Sequence, residues 1–321
     1  MKSPVVILHT EHPDAARAAL LQRHGDLEIH TCDSYAALPE KIHSTRAEVV
    51  YSVRFAGTPD FPRTALLEAP SVKWVAVGGS GTDHLAPWDT AKLTVTNAAG
   101  VAADMMAQYA LGAMLYFSLG LQNFRAAQQQ RSWLSGKVEP ITGKSVLILG
   151  LGKTGMAVAA RAKSLDMTTI GVRARPQPTA HVDETCAAED LPHLWPRADF
   201  IIVCAPLLPS TRALVGKSAF AAMQPTAVLV DMSRGGVVDE SSLVAALENN
   251  RIRGAVLDVF ATEPLPPTHR LWSLENVLIT PHCSSVYDGW EQKSVEMFAD
   301  NLTRYRNGEP LTNIVDPQRG Y

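Results

Sequence analysis

The sequence predicts an α/β protein made of two doubly wound parallel-sheet domains with a cleft between them. Short apolar runs recur along the 321 residues, each bounded by turn residues, as strands buried on both faces of a parallel sheet require. Stretches at helical spacing separate these runs, giving the strand–helix alternation of a parallel sheet. One run, Ser145 to Leu149, stops in Gly150-Leu-Gly152-Lys153-Thr154-Gly155 and continues at helical spacing from Met156.

The first unit opens with a strand at Pro4–Leu8, and a helix is expected over Asp14–Leu21 with Pro13 near its start. Further strands are read at Leu27–His30, Glu48–Ser52, Val72–Val77 and Leu93–Thr96, with helical patches between them. No glycine fingerprint marks this unit. Its loop Gly78-Gly-Ser80-Gly81-Thr-Asp-His84 is built of small residues that expose backbone N–H groups and could cradle an anion; it reads equally as a plain turn. Arg54, in the loop after the third strand, reads either as an anion clamp or as a solvated loop residue.

Asn97–Gly100 is read as a hinge, followed by a long helix from Val101 to about Leu121 and a second helical patch from Phe124 toward Trp133. The segment Met105–Leu121 is too polar for a membrane span, and a helix buried between domains or subunits is expected there. In the second unit Ser145–Leu149 is followed by strands at Met167–Val172, Asp199–Cys204, Thr226–Val230, Gly254–Leu257 and Val277–Thr280. Asp239 and its following Glu-Ser-Ser cap an amphipathic helix to Leu247. The expected strand order is 3-2-1-4-5-6, which would set the strand before Arg234 beside the glycine strand. A last helix, about Val286 to Tyr305, is expected to return to the first unit. The domains are therefore drawn as 1–97 plus 287–321, and 98–286.

Strand, glycine turn and helix together make the context of a Rossmann-like dinucleotide fingerprint. Gly150 permits the turn, Gly152 admits a pyrophosphate, and Gly155 lets helix and strand pack closely. The N–H groups at the helix start, near Lys153 and Thr154, would face the phosphates.

Composition narrows the function classes. Hydrophobic residues are 46% and charged residues 19%, and the net charge is -3 without a basic run, which argues against a nucleic-acid partner. Cys32, Cys186, Cys204 and Cys283 are scattered, so neither a disulfide framework nor a metal site is expected, and the compartment is read as the cytoplasm. The apolar start is too short for a signal peptide.

Ligands of such sheets bind outside the carboxyl ends of the strands. There the chain places Asp231-Met-Ser-Arg234, Asp258-Val-Phe-Ala-Thr-Glu263 and Pro281-His282. These side chains suit reversible reduction of a 2-oxo acid. Arg234 has the planar fork for carboxylate and carbonyl oxygens. His282 suits the proton step. Glu263 could bond the far nitrogen of His282, fixing its tautomer and favouring the imidazolium.

With these motifs the sequence resembles the D-isomer-specific 2-hydroxyacid dehydrogenases, particularly glyoxylate/hydroxypyruvate reductase-like members. The resemblance spans nearly the whole chain and is strongest at Leu149–Gly155, Val230–Asp239, Leu257–Pro264 and Thr280–His282. It implies Arg234, Glu263 and His282 as catalytic, and carboxylate binding by the N–H groups of Ser80 and Gly81. It also implies Ala205, Pro206 and Thr211 on the adenosine side of the cofactor, with Asp258 and the backbone near Met232 and Ser285 beside the nicotinamide. It implies a homodimer, with the Met105–Leu121 helix and the Trp133 arm as interface parts.

Departures from the family pattern inform the cofactor. NAD-using members place an acidic residue at the end of the second strand of this domain. Here Arg173 stands there, with Arg175 close by, which favours NADP(H) over NAD(H). Glu263 argues against the formate dehydrogenase branch, which resembles this family but carries glutamine. No regulatory domain is expected after Tyr321. Two competing readings are a phosphoglycerate- or phosphite-type dehydrogenase in which Arg54 meets the anion, and a cofactor-sensing corepressor-like protein that binds NAD(P)H without useful turnover. Tyr287 and Trp290 are read either as pocket residues or as packing residues.

Overall fold

The computed structural model describes residues 3–55, 58 and 60–320. Residues 56, 57 and 59, in the loop that follows Arg54, and the chain ends at 1, 2 and 321 lie outside the described residues. The chain divides into two compact units, Met1–Val101 with Tyr287–Tyr321, and Ala102–Val286.

In chain order the first unit holds β1 (Val6–His9), α1 (Pro13–Arg23), β2 (Ile29–Cys32), α2 (Leu38–Thr45), β3 (Val49–Ser52), α3 (Arg63–Glu68), β4 (Trp74–Val77) and β5 (Thr94–Asn97). The second unit begins with α4 (Ala103–Ser118), α5 (Leu121–Gln129), β6 (Ser145–Leu149), α6 (Lys153–Lys163), β7 (Thr168–Val172), β8 (Glu184–Cys186), α7 (Leu191–Leu194) and β9 (Phe200–Val203). It continues through α8 (Lys217–Ala222), β10 (Val228–Asp231), α9 (Glu240–Glu248), β11 (Gly254–Leu257) and β12 (Val277–Ile279). The chain then returns to the first unit as α10 (Trp290–Asn307).

Both sheets are wholly parallel, so helices must cover both faces. The first has five strands in the order β2-β1-β3-β4-β5. Leu8, Tyr51 and Trp74 face α1 and α10, while Ile7, Val50 and Val75 face α2 and α3. Helix α10 is fastened to this sheet by Phe298, whose ring lies 5.2 Å from Tyr51 and 5.3 Å from Trp74. Its buried Arg306 grips Asp26 through both guanidinium nitrogens, one at 3.0 Å. Tyr287 donates to the Val101 carbonyl at 2.9 Å, tying together the two points where the chain changes units. Trp290 packs on the same core, so both aromatics serve the fold.

The second sheet has seven strands in the order β8-β7-β6-β9-β10-β11-β12. This corrects the expected six-strand order. The extra strand, Glu184–Cys186, is three residues long and carries no apolar run, so hydrophobic patterning does not reveal it. With it counted, the neighbour of the glycine strand β6 is β9. The strand before Arg234, β10, lies one place further out.

The apolar segment read as a single helix to Leu121 breaks at Gly120, whose φ of +63° caps α4 and restarts the chain as α5. Helix α4 is buried within its own unit, where Ala107, Ala110, Met114 and Phe117 pack with Val158, Ala159 and Ala162 of α6. No helix among the described residues is long and apolar enough to cross a membrane. The expected start of the last helix also moves, from Val286 to Trp290, because Gly289 at φ +90° forms its N-cap.

Candidate active site

The glycine loop is shaped by close backbone contacts. Gly150 has φ +99°, and a Cβ on Gly155 would stand 2.0 Å from the Gly150 carbonyl oxygen, so only glycine lets α6 come this near β6. A Cβ on Gly152 would meet nothing within 4 Å. The N-cap of α6 is Gly152, with no side chain bonded to the first turn. The first-turn N–H groups at Lys153, Thr154 and Gly155 therefore remain for a ligand, and the helix dipole favours an anion there. Thr154 makes only a weak 3.6 Å contact to the Met106 sulfur. These residues fit the pyrophosphate of a dinucleotide.

Beside this loop, β9 leads into Ala205 and Pro206. A Cβ on Gly150 would come 2.9 Å from the Ala205 nitrogen, so it is Ala205 that stands opposite the glycine turn, where the six-strand count had put Arg234. Thr211 folds its loop back on itself, donating to the Pro206 carbonyl at 2.5 Å and accepting the Leu208 N–H at 2.8 Å. At the end of β7, Arg173 is half-buried and Arg175 exposed. The carboxylates of the neighbouring strand β8 and its approach are engaged elsewhere: Asp183 by Lys163 at 2.5 Å and Glu184 by Arg197 at 3.2 Å. Neither Arg173 nor Arg175 has a carboxylate partner among the described residues.

The loops after β10, β11 and β12 converge. A Cβ on Gly235 would lie 1.9 Å from the Phe260 carbonyl oxygen, which sets the Arg234 loop directly against the loop bearing Glu263. Glu263 Oε1 accepts the Phe260 N–H at 3.0 Å, leaving Oε2 to meet His282 Nδ1 at 2.7 Å. Burial pushes the Glu263 carboxyl up. The His282 and Phe260 bonds, with the charges of His282 and Arg234, outweigh it and hold the carboxyl below its usual range. Arg234 is half-buried and donates to the Ser233 carbonyl at 2.8 Å.

Behind these loops lie two buried carboxyls. Asp231, quoted in the motif but given no role from sequence, accepts the Ser233 N–H at 3.0 Å and hydroxyl at 2.6 Å. Burial pushes its carboxyl up to about 7; Ser233 opposes the shift and the Asp258 charge adds to it. Asp258 is fully buried and accepts from Thr280, Cys283 and Ser284. Both of its carboxylate oxygens are thus occupied by donors from the segment around His282. Met232 is buried as well, and Ser285 is half-buried. Thr280 and Tyr109, which bond one another at 2.6 Å, were missed by sequence reasoning because they are distant in the chain and belong to no motif.

In the first unit, the Gly78–His84 loop is anchored from behind through its carbonyls. Asn97 donates to the Ser80 carbonyl at 2.7 Å and the Ala98 N–H to that of Gly79 at 2.9 Å. The Ser80 and Gly81 N–H groups donate to no protein group among the described residues. Arg54 is exposed between buried Val53 and Phe55.

Comparison with known proteins agrees with this layout. The profile of the D-isomer specific 2-hydroxyacid dehydrogenase NAD binding domain matches residues 111–284. The chain belongs to the D-isomer-specific 2-hydroxyacid dehydrogenase family. Glyoxylate reductase of Thermofilum pendens is 32% identical over 78% of this chain and 76% of that protein. D-3-phosphoglycerate dehydrogenase of Methanocaldococcus jannaschii is 32% identical over 97% of this chain, which spans 59% of that longer protein. Among solved structures, a D-isomer specific 2-hydroxyacid dehydrogenase from Xanthobacter autotrophicus Py2, in complex with NADPH and MES, superposes with a TM-score of 0.87 at 27% identity over the full length of both chains. As a D-2-hydroxyacid dehydrogenase the protein is an oxidoreductase, and its second unit carries the nicotinamide-cofactor domain.

Proposed function

We propose that this dehydrogenase reduces small 2-oxo acids of the glyoxylate or hydroxypyruvate type to D-2-hydroxy acids, with NADP(H) preferred over NAD(H). The observation that carries the reading is the 2.7 Å pair of His282 Nδ1 and Glu263 Oε2, beside Arg234 on the sheet that bears the glycine loop. The bound nicotinamide supplies the hydride. Arg234 binds the substrate carboxylate and polarises the carbonyl. Because Nδ1 of His282 is committed to Glu263, Nε2 is the atom that gives up the proton to the new hydroxyl. Glu263, held as an anion, accepts from Nδ1 and orients the ring.

On the first unit, the N–H groups of Ser80 and Gly81 and the side chain of Arg54 are the substrate-binding groups. Gly150, Gly152, Lys153, Thr154 and Gly155 hold the pyrophosphate, and Ala205, Pro206 and Thr211 line the adenosine side. Arg173 and Arg175, without a carboxylate partner among the described residues, support NADP(H), since a 2′-phosphate would neutralise them. The arm past α5 supports a homodimer: Trp133 is 95% exposed, and Leu121, Leu134 and Val138 are exposed with it. Four unpaired cysteines fit a cytoplasmic enzyme.

The test is initial-rate oxidation of NADPH and NADH against glyoxylate, hydroxypyruvate, pyruvate and a bulkier 2-oxo acid. We expect turnover with an NADPH bias, fastest on glyoxylate or hydroxypyruvate. Tight cofactor binding without turnover on all of them overturns the proposal. Exposed Arg54 favours one second reading, a phosphorylated 2-oxo acid as substrate, and such a compound belongs in the same panel.

A further inference from the structure

His282 sits at φ +52°, a left-handed conformation that residues with a β-carbon seldom adopt and that persists only where the surroundings over-determine it. The His282 N–H closes a tight turn onto the Thr280 carbonyl at 3.1 Å, its ring meets Glu263, and one carboxylate holds the residues on either side. Just after His282, the Cys283 N–H donates to Asp258 Oδ1 at 2.8 Å and the Ser284 N–H to Oδ2 at 2.9 Å. Two residues before it, the Thr280 hydroxyl donates to Oδ1 at 2.6 Å. Asp258 thus grips the chain on both sides of the histidine. It is itself fixed, fully buried at the end of β11 with its N–H on the Asp231 carbonyl at 2.9 Å.

The grip extends to α4. Tyr109 Oη lies 2.6 Å from Thr280 Oγ1. Thr280 has a single hydroxyl hydrogen and gives it to Asp258, so Tyr109 must be the donor to Thr280. The bonds run one way: Tyr109 to Thr280 to Asp258. Charge-assisted bonds to a carboxylate removed from water are the strong kind, which suits the group that anchors a strained turn.

We propose that Asp258 is a positioning residue for His282: its carboxylate holds the left-handed turn that carries Nδ1 to Glu263, and Tyr109, through Thr280, is its outer anchor. This rests on the reading of His282 as the proton donor.

Four variants of the full-length enzyme test it: Thr280→Val, Thr280→Ser, Tyr109→Phe and Asp258→Asn. In the last, the amide would direct N–H groups at the backbone N–H of Cys283 or Ser284. Thr280→Val should lower kcat about tenfold, as small misplacements of a catalytic group do. Its 2-oxo acid KM and its NADPH Kd should stay within about threefold of wild type. Tyr109→Phe should act in the same direction more weakly, and Thr280→Ser should recover most of the lost kcat. The downfield proton resonance of the His282 Nδ1–H···Glu263 bond should broaden or vanish in Thr280→Val and persist in Thr280→Ser. If Asp258→Asn fails to fold, the other three variants carry the test.

Wild-type kcat with an intact resonance in both Thr280→Val and Tyr109→Phe overturns the proposal. So does a loss confined to NADPH affinity, which would make the cluster a cofactor support. His282→Ala separates this from the underlying reading: turnover retained by that variant removes His282 as the acid, whereas an inactive His282→Ala beside a fully active Thr280→Val removes only the clamp.

Discussion

At the switch point of the second sheet, between β6 and β9, the first strand ends in Gly150 and opens into bare N–H groups at the start of α6. At the switch point of the first sheet, between β1 and β3, the first strand ends in His9, and the space is filled. The His9 ring is fully buried, 4.8 Å from Phe55 and 5.5 Å from Tyr35, with Nδ1 bonded to Ser52 Oγ at 2.9 Å. Both sheets are parallel and covered on both faces. What differs is the residue at the strand's exit: at Gly150 the backbone is left bare, and at His9 a ring closes the edge with aromatic packing. In the first sheet the loop with free backbone N–H groups follows β4 instead, at Ser80 and Gly81. Topology nominates an edge for ligands, and the residues that leave each strand decide whether it is used.

The two sheets also each bury a titratable group at a strand end, with opposite outcomes. Burial holds His9 neutral by lowering it to about 4, against a smaller opposing pull from the Ser34 backbone. Burial shifts Asp231 the other way, raising it to about 7.

The largest expected effect separates chemistry from binding. His282→Ala should lower kcat by about 10²–10⁴-fold, the usual worth of a general acid. NADPH titration by fluorescence should still give a near-native Kd, because the glycine loop is untouched. A variant that kept wild-type turnover would move the chemistry off this sheet.

The buried pair sharpens the comparison through pH. Asp231 has a raised pKa, so its contribution to stability is full below the ordinary carboxyl value of 3.8 and is lost as pH rises through about 7. At about 1.4 kcal/mol per unit, that is on the order of 4 kcal/mol between pH 4 and 8. Thermal unfolding of Asp231→Asn should be flatter over that window than wild type. His9 is a base with a lowered pKa, so its contribution is full above 6.5 and is lost as pH falls through about 4. The loss is on the order of 3 kcal/mol in the opposite direction. His9→Phe keeps a ring in the aromatic cluster and should flatten the acid side. Parallel unfolding curves for wild type and both variants from pH 4 to 8 would sink this account.

The smallest expected effect concerns the open edge alone. Arg173→Asp should lower the NADPH-to-NADH ratio of kcat/KM by about tenfold or more, the worth of one charge-assisted bond. An unchanged ratio would take Arg173 out of the cofactor site.

Much of this molecule is legible in its residue order, because local rules govern it. The run Ser145–Leu149 and its glycines announce the second sheet's central strand and helix. Asp239 caps α9 as expected, accepting the Ser242 N–H at 2.7 Å. The motifs ending in Arg234, Glu263 and His282 follow successive strands, and the strand-end rule alone brings them to one edge. The misreadings are also local in cause. The strand Glu184–Cys186 has no apolar run, and omitting it shifted the count so that Arg234, and not Ala205, was set opposite the glycine turn. Gly120 and Gly289 each cut a helix that hydropathy would continue.

The sequence by itself determined the fold class, the glycine loop and the identity of the three side chains at the strand ends, because strand burial, turn formation and helix capping depend on neighbours within a few residues. Only the tertiary structure decided which carboxylates lie behind the site, that Tyr109 reaches Thr280 across 171 positions, and that Asn97 holds the Ser80 carbonyl of the loop after β4. Those arrangements depend on hydrogen-bond directions and close approaches between segments far apart in the chain, which no periodicity or spacing encodes.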